Sequence, residues 1–157
     1  MSSGTLTFKY ENNEAFEELA DGDSPVFDSR VRFLVFAASV GYAKDRSVED
    51  PGEDNYIRWN YIEQDSQLSV ITASLAYAVT EDPEVILDAH DQFDVVRRYG
   101  AGGARLIKKE VIDEPGDSLN NLVDFIQAHR DEDVMKERVG VLEEIEKEIS
   151  SIKPSAE

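Results

Sequence analysis

The sequence contains no cysteine. Disulfide frameworks, cysteine-ligated zinc, iron–sulfur clusters and thiol catalysis are therefore excluded. His90 and His129 are the only histidines, and two so far apart make no metal site by spacing. No uncharged stretch is long and apolar enough to cross about 30 Å of hydrocarbon, so no membrane contact is expected. Met1-Ser2-Ser3-Gly4 leads into Thr5 to Tyr10 with neither a basic n-region nor a long apolar h-region, and a cytoplasmic protein is expected.

Catalytic signatures are lacking as well. The serines sit in no nucleophile elbow, and the glycines match neither a P-loop nor a dinucleotide fingerprint. The acid clusters Glu81-Asp82-Glu84 and Asp131-Glu132-Asp133 lack EF-hand spacing and read as solvated faces. Lys108-Lys109-Glu110 has no strand-borne aspartate ahead of it to complete a nuclease motif. No catalytic residue, metal or cofactor is expected, and a small metal-dependent nuclease is the enzymatic alternative.

What the chain has in abundance is acid. It carries 34 acidic residues against 16 basic ones, only seven of them lysine, for a formal charge of −18. Such charge keeps a protein soluble and, in ordinary ionic strength, repels DNA and anionic lipid. Acids coat almost every segment, which suggests a high-salt cytoplasm; a basic partner is the other reading. In molar salt the Debye length falls to about 3 Å, and local charge then decides what is bound.

With 157 residues, 41% of them hydrophobic, the chain suits one core. A mainly α fold of about five to seven helices is expected, in which Thr5–Tyr10 and Tyr56–Ile62 can pair as a small two-stranded β element. Asn12 or Asn13 caps a short helix from Glu14 to Ala20. The helix from Ser29 to about Tyr42 is apolar around nearly its whole circumference, the mark of a buried central helix. Lys44 to Asn55 reads as a surface loop. Asp65 or Ser66 begins a helix with Leu68, Ile71, Leu75 and Val79 on one face, and Pro83 opens a short one. Trp59, with Tyr56 and Tyr61, can stack on a base or fill core.

After Pro115-Gly116, a helix with Leu119, Leu122, Val123 and Ile126 in register is expected to end near His129-Arg130. The core domain is accordingly set at 1–130 and a C-terminal amphipathic helix at 131–157. That helix carries Met135, Val139, Leu142, Ile145, Ile149 and Ile152 at spacings of three and four. The narrow seam either docks on its own domain or meets a partner or a second copy.

One segment departs from the acidic rule. Between Asp94 and Glu110 there is no acid, while Arg97, Arg98, Arg105, Lys108 and Lys109 supply five of the sixteen positive charges. On a helix these five fall within an arc of about 120°, separate from the apolar face of Phe93, Val96, Gly100, Gly103, Ala104, Ile107 and Val111. Either Gly100 and Gly103 let the central helix approach closely, or Gly100-Ala101-Gly102-Gly103 is a turn whose free N–H groups, with Gly102 and Gly103, form an anion site beside Arg105. Both readings place cations where a phosphate can sit. Pairing with acids of the fold or of a partner is the alternative.

The sequence resembles a family of small proteins encoded beside DNA phosphorothioation (Dnd-type sulfur-modification) genes. The resemblance rests on Ser24-Pro25-Val26-Phe27, on Phe33-Leu34-Val35-Phe36-Ala37-Ala38-Ser39-Val40-Gly41-Tyr42, on Arg98-Tyr99-Gly100-Ala101-Gly102-Gly103, and on Asp117-Ser118-Leu119-Asn120-Asn121-Leu122. It spans about residues 15 to 128, with Lys44–Asn55 and the seam after Asp131 as departures or additions. What it implies is an accessory role in prokaryotic antiviral defence and restriction of unmarked DNA, without a catalytic residue set to carry over. The expected partners are other proteins of the same system, DNA, and a further copy of the chain.

Overall fold

The structure, a computed structural model, describes residues 6–152, the side chains of 131–142 and 151–152 excepted. Strand β1, Thr7–Tyr10, leads to the short helix α1, Glu14–Phe16, which runs on into a π-helical turn at Glu17–Asp21. Asn13 caps α1, its Oδ1 accepting from the Ala15 N–H at 2.8 Å. Helix α2, Arg30–Ala43, begins where Ser29 Oγ accepts from the Arg32 N–H at 3.2 Å. It is buried on nearly all sides, as its unbroken apolar composition requires.

Strand β2, Asn55–Arg58, pairs antiparallel with β1 in the register Thr7↔Arg58, Phe8↔Ile57, Lys9↔Tyr56 and Tyr10↔Asn55. The expected strand thus stops at Arg58, and Asn60–Glu63 turns into helix α3. Alternation along the ribbon sends Tyr10 and Ile57 into the core and leaves Thr7, Lys9, Tyr56 and Arg58 exposed. Trp59 is core: it is buried and meets the Phe8 ring edge-on at 5.8 Å, while Phe8 stacks on Phe93 at 4.8 Å.

Helix α4, Ser66–Thr80, is capped by Asp65, whose carboxylate accepts from the N–H groups of Gln67 and Leu68. Its buried line is Leu68, Thr72, Leu75 and Ala76. Ile71, expected inside, stays exposed, because the helix turns its small residues Thr72 and Ala76 inward. A 3₁₀ turn at Pro83–Leu87 precedes helix α5, Ala89–Ile107, and a second π turn at Lys108–Ile112 follows it.

Helices α2 and α5 form the most intimate contact of the fold. A Cβ on Gly103 would lie 1.7 Å from the Ala37 carbonyl oxygen and 2.9 Å from the Gly41 nitrogen. Only glycine permits backbones to meet at this distance, which offsets the cost of about 1 kcal/mol for glycine inside a helix. The connection from 44 to 54 is held down throughout. Arg46 N–H donates to the Gly41 carbonyl at 2.7 Å, Val48 N–H to the Arg98 carbonyl at 3.0 Å, and Gly52 N–H to Glu11 Oε1 at 2.9 Å.

Helix α6, Ser118–Ile152, is continuous for 35 residues. The expected end near His129-Arg130 is not there, since neither glycine nor proline interrupts the chain at that point. Its start packs on the two π turns, with Leu122 and Phe125 buried and Asn121 Nδ2 donating to the Val111 carbonyl at 3.1 Å. Leu119, Val123 and Ile126, expected to share the inward face, lie largely exposed.

Candidate functional site

The acid-free segment forms most of α5, and its cations are largely engaged within the fold. Arg97 and Arg98 both hold Asp94, at 3.1 and 3.0 Å. Arg105 grips Glu11 with a two-pronged fork, Nε to Oε2 at 2.8 Å and Nη2 to Oε1 at 2.7 Å. Lys108 Nζ lies 3.0 Å from Asp113. Lys109 is exposed and has no partner among the described residues. The Arg105 guanidinium, with the Gly52 N–H, holds the Glu11 carboxyl below its ordinary pKa against the opposing effect of burial.

Of the two readings of the glycines, the close-packed one is found. Helix α5 runs unbroken through Gly100-Ala101-Gly102-Gly103, and all four residues are buried. A Cβ on Gly102 would lie 2.2 Å from the Arg46 carbonyl oxygen. Gly102 and Gly103 are therefore packing residues within a helix, with no turn to free their N–H groups for an anion.

Of the seam, Met135, Val139, Leu142 and Ile152 lie outside the described side chains. Ile145 and Ile149 are exposed, by 46% and 56%. At about 100° per residue they fall on roughly the opposite side of α6 from Leu122 and Phe125, so a straight helix that seats the latter pair turns the former pair away from its own domain. Glu143, Glu144 and Glu146 are exposed around them.

A second cation group, gathered from distant segments, was not visible in the sequence. A cleft of about 750 Å³ opens between the start of α2, strand β2 and helix α3, lined by Arg30, Arg32, Arg58, Tyr56, Tyr61 and Asp65, among others. Arg30 is fixed there: its guanidinium binds both Asp21 carboxylate oxygens, the Tyr10 hydroxyl at 3.1 Å and Asn12 Oδ1 at 2.8 Å. Asp21 raises the Arg30 pKa further, and burial raises that of Tyr10. The Arg32 guanidinium makes one bond among the described residues, from Nη2 to Asp65 at 2.6 Å. Arg58 is exposed and has no partner among the described residues. Tyr56 and Tyr61 are exposed by 61% and 56%. The signal that could have found this site is Tyr56-Ile57-Arg58, whose alternation puts an aromatic and a cation on one strand face.

His90 packs edge-on against Phe8 at 5.2 Å, and His129 Nε2 lies 3.4 Å from Glu110. Among the described residues, no three histidine or acidic side chains converge to hold a metal ion, and no helix is long and apolar enough to cross a membrane.

No curated protein and no solved structure matches the chain. The family model described as DNA sulphur modification system-associated protein 4 matches residues 9–145, further in both directions than the resemblance in sequence extends. It takes in both the 44–54 connection and most of α6. The association with phosphorothioation genes suggested by the sequence is thus met, and the chain belongs to the family of DNA sulphur modification system-associated protein 4.

Proposed function

We propose that the protein is a non-catalytic accessory subunit of its DNA sulphur modification system, and that it docks on a basic, grooved surface of another protein of that system through the arm at 131–157. The observation that carries this reading is the placement of Ile145 and Ile149, exposed on roughly the opposite side of α6 from the residues that seat it. Apolar side chains at i and i+4, ringed by glutamates, suit a helix-in-groove contact with positive walls. A second copy of a chain bearing −18 is a poor occupant of such a surface, because like charges would meet.

The test is co-purification of the full chain with each purified protein of the system. Wild type should retain one of them, and a variant with Ile145→Asp and Ile149→Asp should lose it while keeping its helical circular dichroism. Retention by the variant, or no capture by wild type, overturns the docking reading.

Contact of DNA phosphates with Arg97, Arg98, Arg105, Lys108 and Lys109 is the second reading. It is favoured by the exposure of Lys109 and by the 55% exposure of the Arg105 side chain. Phosphate would have to compete with Asp94, Glu11 and Asp113 for the other cations. Duplex binding with and without backbone sulfur, over a salt series, checks it: a negative log–log slope that vanishes on charge reversal at Arg98 and Arg105 supports this face. An unchanged slope removes it.

A further inference from the structure

In a chain whose acids outnumber its bases by two to one, the cleft beside β2 reverses the ratio, with three arginines and Asp65 among its lining residues. Two of these arginines have capacity to bind something else. A guanidinium carries five N–H donors; Arg32 uses one, on Asp65, and Arg58 uses none among the described residues.

The ribbon adds to the group. Lys9 stands directly across from Tyr56, both are exposed, and the register places Arg58 two residues along on the same face. Lys9 likewise has no partner among the described residues. Tyr56 thus lies between two unpaired cations on the outer face of the ribbon, with Tyr61 at the same cleft. Among the described residues, neither tyrosine packs against another ring.

Free arginine and lysine call for an anion with several acceptor oxygens, and two bare phenol rings call for a flat apolar face. An acidic peptide would answer the first and leave the rings in water. A base pair in a duplex hides its faces in the stack and cannot answer the second. The volume is that of a small-molecule site.

We propose that this cleft binds a nucleoside phosphate, free or as one unit of a single strand, with Tyr56 and Tyr61 stacking on the base and Arg32 and Arg58 holding the phosphate, Lys9 standing across the ribbon from Tyr56. The site is separate from the α6 arm and from the cations of α5, so it stands or falls independently of either reading above.

Calorimetric titration of the full chain tests it, with dAMP, adenosine, inorganic phosphate and a ten-residue oligodeoxyadenylate as probes. We expect dAMP to bind at least about tenfold more tightly than adenosine or phosphate alone, since each of these lacks one half of the contact. Arg58→Ala and Tyr56→Ala should each weaken dAMP by about tenfold, and Arg46→Ala, at an exposed cation outside both this cleft and the cations of α5, should leave it unchanged. Both altered residues are exposed, and circular dichroism confirms that the variants fold. An oligonucleotide that binds much more tightly than dAMP identifies a single strand as the source; equal affinity identifies a free nucleotide. The proposal is overturned if neither dAMP nor the oligonucleotide binds in the millimolar range. It is equally overturned if both variants bind like wild type, or if inorganic phosphate binds as tightly as dAMP.

Discussion

Helices α5 and α6 start alike and end differently. Each opens on an aspartate cap, Asp88 accepting from the Asp91 N–H and Asp117 from the Asn120 N–H, both at 3.1 Å. Helix α5 then buries eleven of its 19 residues, so that its contacts within the domain run along its whole length. Along α6 the buried hydrophobic side chains among the described residues are Leu122 and Phe125, both near its start. At 1.5 Å per residue a 35-residue helix is about 50 Å long, which carries its far end well beyond what two buried side chains secure. Helical propensity alone does not say what a helix is for. One helix is part of the core, and the other begins in the core and leaves it.

The contrast can be broken most sharply at the α2–α5 crossing. Gly103→Ala puts a carbon where a carbonyl oxygen lies, and we expect a loss of more than about 4 kcal/mol, a large share of the margin of about 5–15 kcal/mol of a typical domain. Thermal melting checks this. An unchanged melting temperature would mean that the helices can separate, and α5 would lose its distinction from α6. Phe125→Ala, at a side chain that with Leu122 forms the buried part of α6 among the described residues, should cost about 3 kcal/mol in denaturant unfolding.

A smaller effect is expected where α5 meets the β1 end of the fold. Because the folded pKa of Glu11 is depressed, its contribution is fully present above its unfolded value and lost as pH falls through the folded one. Glu11→Gln should therefore cost about 1 kcal/mol at neutral pH and flatten that part of the acid limb of the stability curve. Smallest of all is Ile149→Ala, expected to change stability by less than about 0.5 kcal/mol. A larger loss there would show that the outer half of α6 is held by its own domain, and would remove the contrast.

Local patterning carried much of this fold into view. Ser29 ahead of a run in which Arg30 and Arg32 alone are charged marks α2, Asp65 marks the start of α4, and the alternation of Thr5–Tyr10 with the strand-like composition of Tyr56–Ile62 points to the ribbon, because each signal is complete within a few residues. Signals completed by distant residues stayed hidden. Glu11 lies 94 positions from Arg105, so the segment that stands out in sequence as a basic face is, in the fold, a row of cations mostly held by acids. The cleft is the reverse case: Arg32 on α2 and Arg58 on β2 are unremarkable in sequence and come to line one cleft only in the fold. Rotation of a helix about its own axis was also lost. Thr72 and Phe125 face the core where Ile71 and Ile126 were expected, since size and contact, not hydrophobicity alone, decide which side packs.

The connection between α2 and β2 has the composition of a free loop, and loops ordinarily accept extra residues at little cost. This one is tied at Arg46, Val48 and Gly52 to α2, α5 and Glu11 in turn, and its backbone at Arg46 covers Gly102. It behaves as a strap of fixed length. Its length matters more than its side chains: the number of residues from Gly41 to Val48 is expected to stay constant in relatives, because an insertion there would slip the strap off the crossing that it closes.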